Sequence, residues 1–238
     1  MTEHAKLSYG EHNVDIPVVI GSEGEVGLDL GAARLRDKTG MVSLDVAFKH
    51  TASTTSGVTF LDGGKGILRY RGYAIEDLAE HCSFLEVSNL LITGELPDQA
   101  GLSAFRHKLN NHTLLHEDMK RFFDAFPRDA HPMGILSAAM AALSTFYQHG
   151  DLEDPDEVRL DIIRLLAKMP TVAAFAYKKS MGQPFIYPDN SLRYPANFLR
   201  MMFSFPTEEW LFDDDICDAL DALLILHADH EQNCSTSA

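Results

Sequence analysis

The 238 residues carry 20 Lys+Arg against 35 Asp+Glu, a formal net charge of -15. Such a surface repels phosphate backbones and anionic bilayers, which excludes nucleic acid and membrane as partners, so an anionic metabolite must be met by locally concentrated positive charge. Cys82, Cys217 and Cys234 are far apart and lack CxxC spacing, which together with the absence of an apolar leader or spanning run gives a reducing, cytoplasmic location as the expectation.

The first 70 residues read as strands. Ile16–Ile20, Val26–Leu30 and Val58–Leu61 are short, β-branched and interrupted by Gly and Pro. Asp62-Gly-Gly-Lys-Gly66 lacks the GxxxxGK[ST] pattern of a phosphate loop. It is predicted to be a hairpin turn joining Phe60 to Ile67, with Tyr70 and Arg71 on the second strand. From residue 71 the pattern is helical, punctuated by Pro97, Pro127, Pro132, Pro155, Pro170, Pro184, Pro188, Pro195 and Pro206. No repeat of fixed period is present.

Three of the helices carry further information. Over His131–Leu143, Gly134, Ser137, Ala138 and Ala141 form a stripe of small side chains on which another helix can approach closely, from the same subunit or a second one. Over Pro155–Met169, Val158, Ile162, Leu165, Leu166 and Met169 are predicted to face the core. Arg164 and Lys168, four apart, are like charges that an anion would relieve; alternatively, Asp161 partly neutralises Arg164 and both cations are solvated. Over the helix following Asp213, the residues Ile216, Leu220, Leu223, Leu224, His227 and His230 recur at spacings of three and four and are predicted to form one buried face. A histidine near a helix C-terminus is favoured in its protonated form, and burial of that charge calls for an anion, which a small carboxylate ligand would supply. The competing readings are a core histidine bonded to a carbonyl, and a zinc site of His227, His230 and Cys234.

The run Leu226-His-Ala-Asp-His-Glu-Gln-Asn-Cys-Ser-Thr-Ser237 resembles the oxaloacetate-binding helix end of the citrate synthase family, in the long form found in Gram-negative bacteria. Lys65–Leu78 (Lys-Gly-Ile-Leu-Arg-Tyr-Arg-Gly-Tyr-Ala-Ile-Glu-Asp-Leu), Glu86–Pro97, His131-Pro-Met133, Lys168-Met-Pro-Thr171 and Gly182–Pro188 fall in that family's order and approximate spacing. The resemblance runs from about residue 40 to the end and covers a little more than half of a complete family member.

The resemblance implies a condensation of acetyl-CoA with oxaloacetate to citrate and CoA. A carboxylate takes a methyl proton, one histidine stabilises the enol and another polarises the ketone. In the family these three groups and the CoA-binding segments lie further along, so no catalytic residue is expected before Ala238. His230 matches an oxaloacetate ligand, with His227, Glu231 and Asn233 as its supporting neighbours. The basic pair matches part of an allosteric NADH site made of His112, Thr113, Tyr147, Arg164 and Lys168. Here Asn111 stands where that site has arginine, Leu114 where it has methionine and Thr207 where it has cysteine, and loss of one guanidinium weakens the case for NADH inhibition.

The expected fold is therefore mainly α, the multi-helix citrate synthase globule with an incomplete large domain. A β-rich region over 1–70 precedes a helical domain over 71–238. No metal and no resident cofactor is expected; oxaloacetate and acetyl-CoA are the partners, in a homodimer or homohexamer. The alternatives are a 2-methylcitrate synthase acting on propionyl-CoA, or a truncated non-catalytic paralogue that regulates a full-length subunit.

Overall fold

The computed structural model describes residues 3–46, 50–52, 54–147, 151, 153–208, 210 and 213–229. The chain divides into two compact units, Met1–Ser56 with Gln232–Ala238, and Gly57–Glu231. In the first, β1 (His4–Tyr9), β2 (His12–Ile20) and β3 (Val26–Leu28) form an antiparallel sheet in that order. Gly10, at φ 59, opens the two-residue turn between Tyr9 and its register partner His12. Val14 and Ile16 project from β2 onto Ala33 and Leu35 to make a small core, Leu35 opening α1 (Leu35–Thr39). The sequence reading found β2 and β3 but not β1, whose apolar positions, Ala5 and Leu7, are only two and only partly buried.

The second unit begins with β4 (Thr59–Asp62), β5 (Ile67–Tyr70) and β6 (Tyr73–Ala74), also antiparallel in order. The turn from β4 to β5 is the expected hairpin. Asp62 Oδ1 accepts from the backbone N–H groups of Gly64 and Lys65 at 3.0 and 3.1 Å, so the glycine-rich run folds on its own carboxylate. Arg71 lies beyond the second strand, not on it: it adopts φ 50 and Gly72 follows at φ 90, and the two reverse the chain into β6. This sheet belongs with the helices. Tyr70 is fully buried among Ile75, Leu78, Val87, Leu90 and Ile225, which is why the compact units divide at Ser56 and not near residue 70.

Eight helices follow in the described residues: α2 (Ile75–His81), α3 (Phe84–Thr93), α4 (Gln99–Asn110), α5 (Met119–Asp124), α6 (Pro132–Phe146), α7 (Pro155–Met181), α8 (Tyr194–Phe203) and α9 (Asp214–Leu226). The fold is mainly α. Helix starts are chemically marked. Ser83 and Glu86 form a reciprocal capping box on α3, and the Asp98, Asp154 and Asp213 carboxylates cap α4, α7 and α9. No helix among the described residues is long and apolar enough to cross a membrane.

The centre is α7, which packs against α4, α5, α6 and α8. Its buried face in the first half is Ile163 and Ala167. Ile162 and Leu165, expected inside, are 39% and 41% exposed. The helix also does not stop at Pro170; it continues to Met181 and ends at Gly182, at φ 66. A proline inside a helix removes one N–H and pushes away the carbonyl four residues earlier. Here that carbonyl is Leu166 O, and the Tyr194 hydroxyl donates to it at 2.9 Å. A side chain from the next helix thus replaces the missing donor. Tyr194→Phe should therefore cost about 1 to 3 kcal/mol, the penalty of a buried acceptor left unpaired, with little change of volume. Urea unfolding measures this, and a loss below about 0.5 kcal/mol would mean that Pro170 is tolerated without Tyr194.

Candidate functional site

Along its length α9 is held from three directions. Arg193 pairs with Asp214 at 3.2 Å and also with Asp218. Cys217 and Ile225 are the buried residues of the helix. Asp221 Oδ2 accepts from the backbone N–H of Phe84, at the first turn of α3, at 3.2 Å, a carboxylate at the positive end of a helix. Burial raises the Asp221 pKa, and the Phe84 amide opposes that shift.

These contacts correct the predicted buried face. Ile216 and Leu223 are 48% and 52% exposed, and His227 is exposed as well. The helix is rotated by about one residue, so that Cys217, Asp221 and Ile225 turn inward. Periodicity could not resolve this, because Leu223, Leu224, Ile225 and Leu226 are all apolar and the inward pull of Asp221 comes from a helix far away in sequence. His227 is the C-cap of α9, with Nδ1 2.7 Å from Leu223 O. If Nδ1 donates there, Nε2 is left to accept when the ring is neutral. His230, Glu231, Asn233 and Cys234 lie outside the described residues, and with them the zinc reading. Among the described residues no cluster of three metal-ligating side chains occurs.

The residue before His230 is gripped by the hairpin. Tyr70 Oη donates to Asp229 O at 3.3 Å and accepts from Asp229 N at 3.4 Å, while Thr59 Oγ1 donates to Asp229 Oδ2. Burial raises the pKa of the Tyr70 phenol. Tyr70 lies within one of the family-like sequence motifs, but its partner, 159 positions away, has no signal in the sequence.

Of the second predicted group, Tyr147, Arg164 and Lys168 line a cavity of about 180 Å³ between α6 and α7, together with Met140, Leu143, Ser144, Asp161 and Leu165. Arg164 is bound to Asp161 at 2.9 Å, as the neutralising alternative anticipated. Lys168 is not solvated. It is 2% exposed, its Nζ donates to His112 O and Leu114 O at 2.6 and 2.7 Å, and it sits 4.4 Å from the centre of the Tyr147 ring. Burial and then the Arg164 charge bring the Lys168 pKa down to about 8. Burial and the same two cations lower that of His112. Thr113 turns away, donating to Asn190 Oδ1 at 2.9 Å. Three of the five residues thus share one cavity, and one of its cations already serves two backbone carbonyls. Asn111 caps the C-terminus of α4, and Leu114 is 56% exposed.

The helical arrangement is that of solved citrate synthases. The enzyme of Pyrobaculum aerophilum is 29% identical with a TM-score of 0.66, over 92% of this chain and 51% of that one. The enzyme of Thermoplasma acidophilum, solved as a ternary complex of carboxymethyl coenzyme A and oxaloacetate, is 25% identical with a TM-score of 0.74, over 82% of this chain and 50% of that one. The profile of the family described as citrate synthase, C-terminal domain, matches residues 47–238, and the chain belongs to this family. It is 55% identical over 234 residues to citrate synthase 1 of Mycobacterium tuberculosis, covering 98% of this chain and 54% of the relative. With the citrate synthase of Corynebacterium glutamicum it shares 50% over 235 residues, 98% of this chain and 53% of the relative. The chain therefore spans about half the length of the curated relatives it matches.

Proposed function

We propose that this chain forms the N-terminal portion of a citrate synthase and contributes one wall of an oxaloacetate site, while the proton-abstracting carboxylate, the two polarising histidines and the CoA-binding segments come from outside these 238 residues. The observation that carries this is the 55% identity over 234 residues to a relative called citrate synthase. The ternary complex of the Thermoplasma acidophilum neighbour supports the choice of substrates. In this reading His230 donates a hydrogen bond to the anionic substrate beyond the end of α9, with Asn233 and His227 beside it, and the negative surface elsewhere makes such local donors necessary. We also read the protein as a cytoplasmic homodimer or homohexamer. Gly134, Ser137 and Ala141 are exposed on α6, away from the buried Ile135, Ala139 and Leu143, which supports a helix packing closely there.

The test uses the 238-residue chain and a full-length polypeptide, meaning this chain continued by the half that its relatives possess. With oxaloacetate and acetyl-CoA, the full-length polypeptide should release CoA and the 238-residue chain should release none. CoA release by the short chain alone would overturn the division of labour. Faster turnover on propionyl-CoA would favour a 2-methylcitrate synthase, and altered kinetics of a full-length subunit on mixing with the short chain would favour the regulatory paralogue.

Within the site, His230→Ala should weaken oxaloacetate binding by about 1.5 to 3 kcal/mol, the range for a hydrogen bond to a charged group. His227→Ala should cost only about 0.5 kcal/mol of stability, since its bond to Leu223 O is at an exposed helix end. Paired calorimetric titrations and melting curves decide this, and equal losses of affinity would reverse the assignment of the two imidazoles. NADH should bind weakly or not at all. Asn111 supplies no third cation, Arg164 is paired and Lys168 is committed to carbonyls. Tight NADH binding abolished by Arg164→Ala would contradict that.

A further inference from the structure

We propose that the cross-strand pair Thr59 and Tyr70 is a positioning device for the oxaloacetate-binding histidine, acting through Asp229. The proposal rests on the reading of His230 as a substrate ligand. Thr59 and Tyr70 are register partners in the β4–β5 hairpin, and both reach the same residue. Near the end of α9 the backbone is already tightening: His227 N donates to Leu224 O and Ala228 N to Ile225 O, three residues back rather than four. Asp229 comes after the helical ladder has ended, so its amide and carbonyl need partners from elsewhere. One phenol serves both, at 3.3 and 3.4 Å, while the Thr59 hydroxyl takes the carboxylate. The two backbone groups and the side chain of the residue preceding His230 are thereby fixed by a hairpin whose turn is itself closed on Asp62.

For packing alone, a phenylalanine at position 70 and a valine at position 59 would do as well. Tyr70 is 0% exposed, and removing its oxygen leaves the surrounding apolar contacts intact. What would be lost is the hold on the backbone and carboxylate of Asp229, the residue bonded to His230. Misplacement of a ligand by about 1 Å is enough to lower the efficiency of a site roughly a hundredfold.

The experiment is made in the full-length polypeptide with Tyr70→Phe, Thr59→Val and Thr59→Ser, each also combined with His230→Ala. The expected result is a roughly tenfold to hundredfold rise in the Kd and KM for oxaloacetate in Tyr70→Phe and Thr59→Val, an unchanged KM for acetyl-CoA, and recovery in Thr59→Ser. On the His230→Ala background, the added substitutions should change oxaloacetate affinity no further. A fall in melting temperature with oxaloacetate affinity untouched would overturn the proposal and leave a purely structural brace, and equal effects on the two substrates would overturn it too. If His230→Ala alone leaves oxaloacetate binding unchanged, the underlying assignment of His230 fails. If His230→Ala weakens binding while Tyr70→Phe and Thr59→Val do not, only the positioning role fails. Should Tyr70→Phe not fold, the Thr59→Val and Thr59→Ser pair carries the same test.

Discussion

Phe123→Ala is expected to destabilise the protein by about 3 to 5 kcal/mol, the range for deleting a fully buried ring from a close-packed core. Phe123 is 0% exposed and makes edge-on contacts with Phe122, Phe175 and Phe185 at centroid separations of 5.7, 5.8 and 6.0 Å. Phe175 and Phe185 are themselves stacked at 4.3 Å. The ring therefore joins α5 to α7 and to the segment after Gly182, and its loss leaves a void bounded by rigid neighbours that cannot collapse into it. Phe123→Leu should recover much of the loss. Urea unfolding of the full-length polypeptide decides the matter. A cost below about 1 kcal/mol would show that the cluster repacks freely and that these aromatic contacts are not what joins α5 to α7.

The second large effect depends on pH. Lys168 is held down to about 8 in the folded chain and titrates near 10.4 when unfolded. The folded state thus releases its proton first. Below pH 8 both states are protonated and the full cost of burying the cation is present. Between pH 8 and about 10.4 that cost fades, so Lys168 makes stability rise with pH over this window. A separation of this size corresponds to a rise on the order of 3 kcal/mol. The two carbonyl acceptors and the Tyr147 ring favour the charged form and moderate it. Lys168→Met abolishes the titration. The stability of the parent minus that of Lys168→Met should therefore increase from pH 7 to pH 10, while tyrosine titrations common to both cancel. A difference independent of pH would mean that Lys168 is freely hydrated.

Much of the fold was legible because local chemistry announces it. The start of α9 at Asp213 and the Asp62 turn each depend on residues within four positions of one another, so spacing suffices to read them; the Ser83 and Glu86 box on α3 is equally local, though not among the predicted features. Apart from the weakly patterned β1, the larger features that escaped are those whose cause lies elsewhere in the chain. Pro170 reads as a helix end until Tyr194 is known to supply the missing donor to Leu166. The inward rotation of α9 depends on Asp221 meeting the Phe84 amide, 137 positions away. At the candidate site, Tyr147, Arg164 and Lys168 line one cavity because they lie on α7 and at the end of the helix packed against it, whereas Thr113 turns toward Asn190. Their charge state could not be read, since only the fold reveals that Lys168 faces His112 O and Leu114 O. Tyr70 illustrates both limits. Its place on a strand was readable, and its hold on Asp229 was not.

That hold also bears on the order in which the molecule is put together. The Thr59 contact with Asp229 spans 170 positions and those of Tyr70 span 159, whereas the helix caps and the Asp62 turn close over two or three. Bringing distant ends together carries an entropic penalty that grows with the logarithm of the enclosed length, about 0.6 kcal/mol for each doubling, and such contacts are recompensed only after the intervening helices have condensed. The last turn of α9 should accordingly dock late in folding and open early in native-state fluctuations. In a hydrogen-exchange time course, the amide of Asp229 would lose protection well before those in the middle of α7, so the segment that follows α9 would be the part of this unit assembled last and released first.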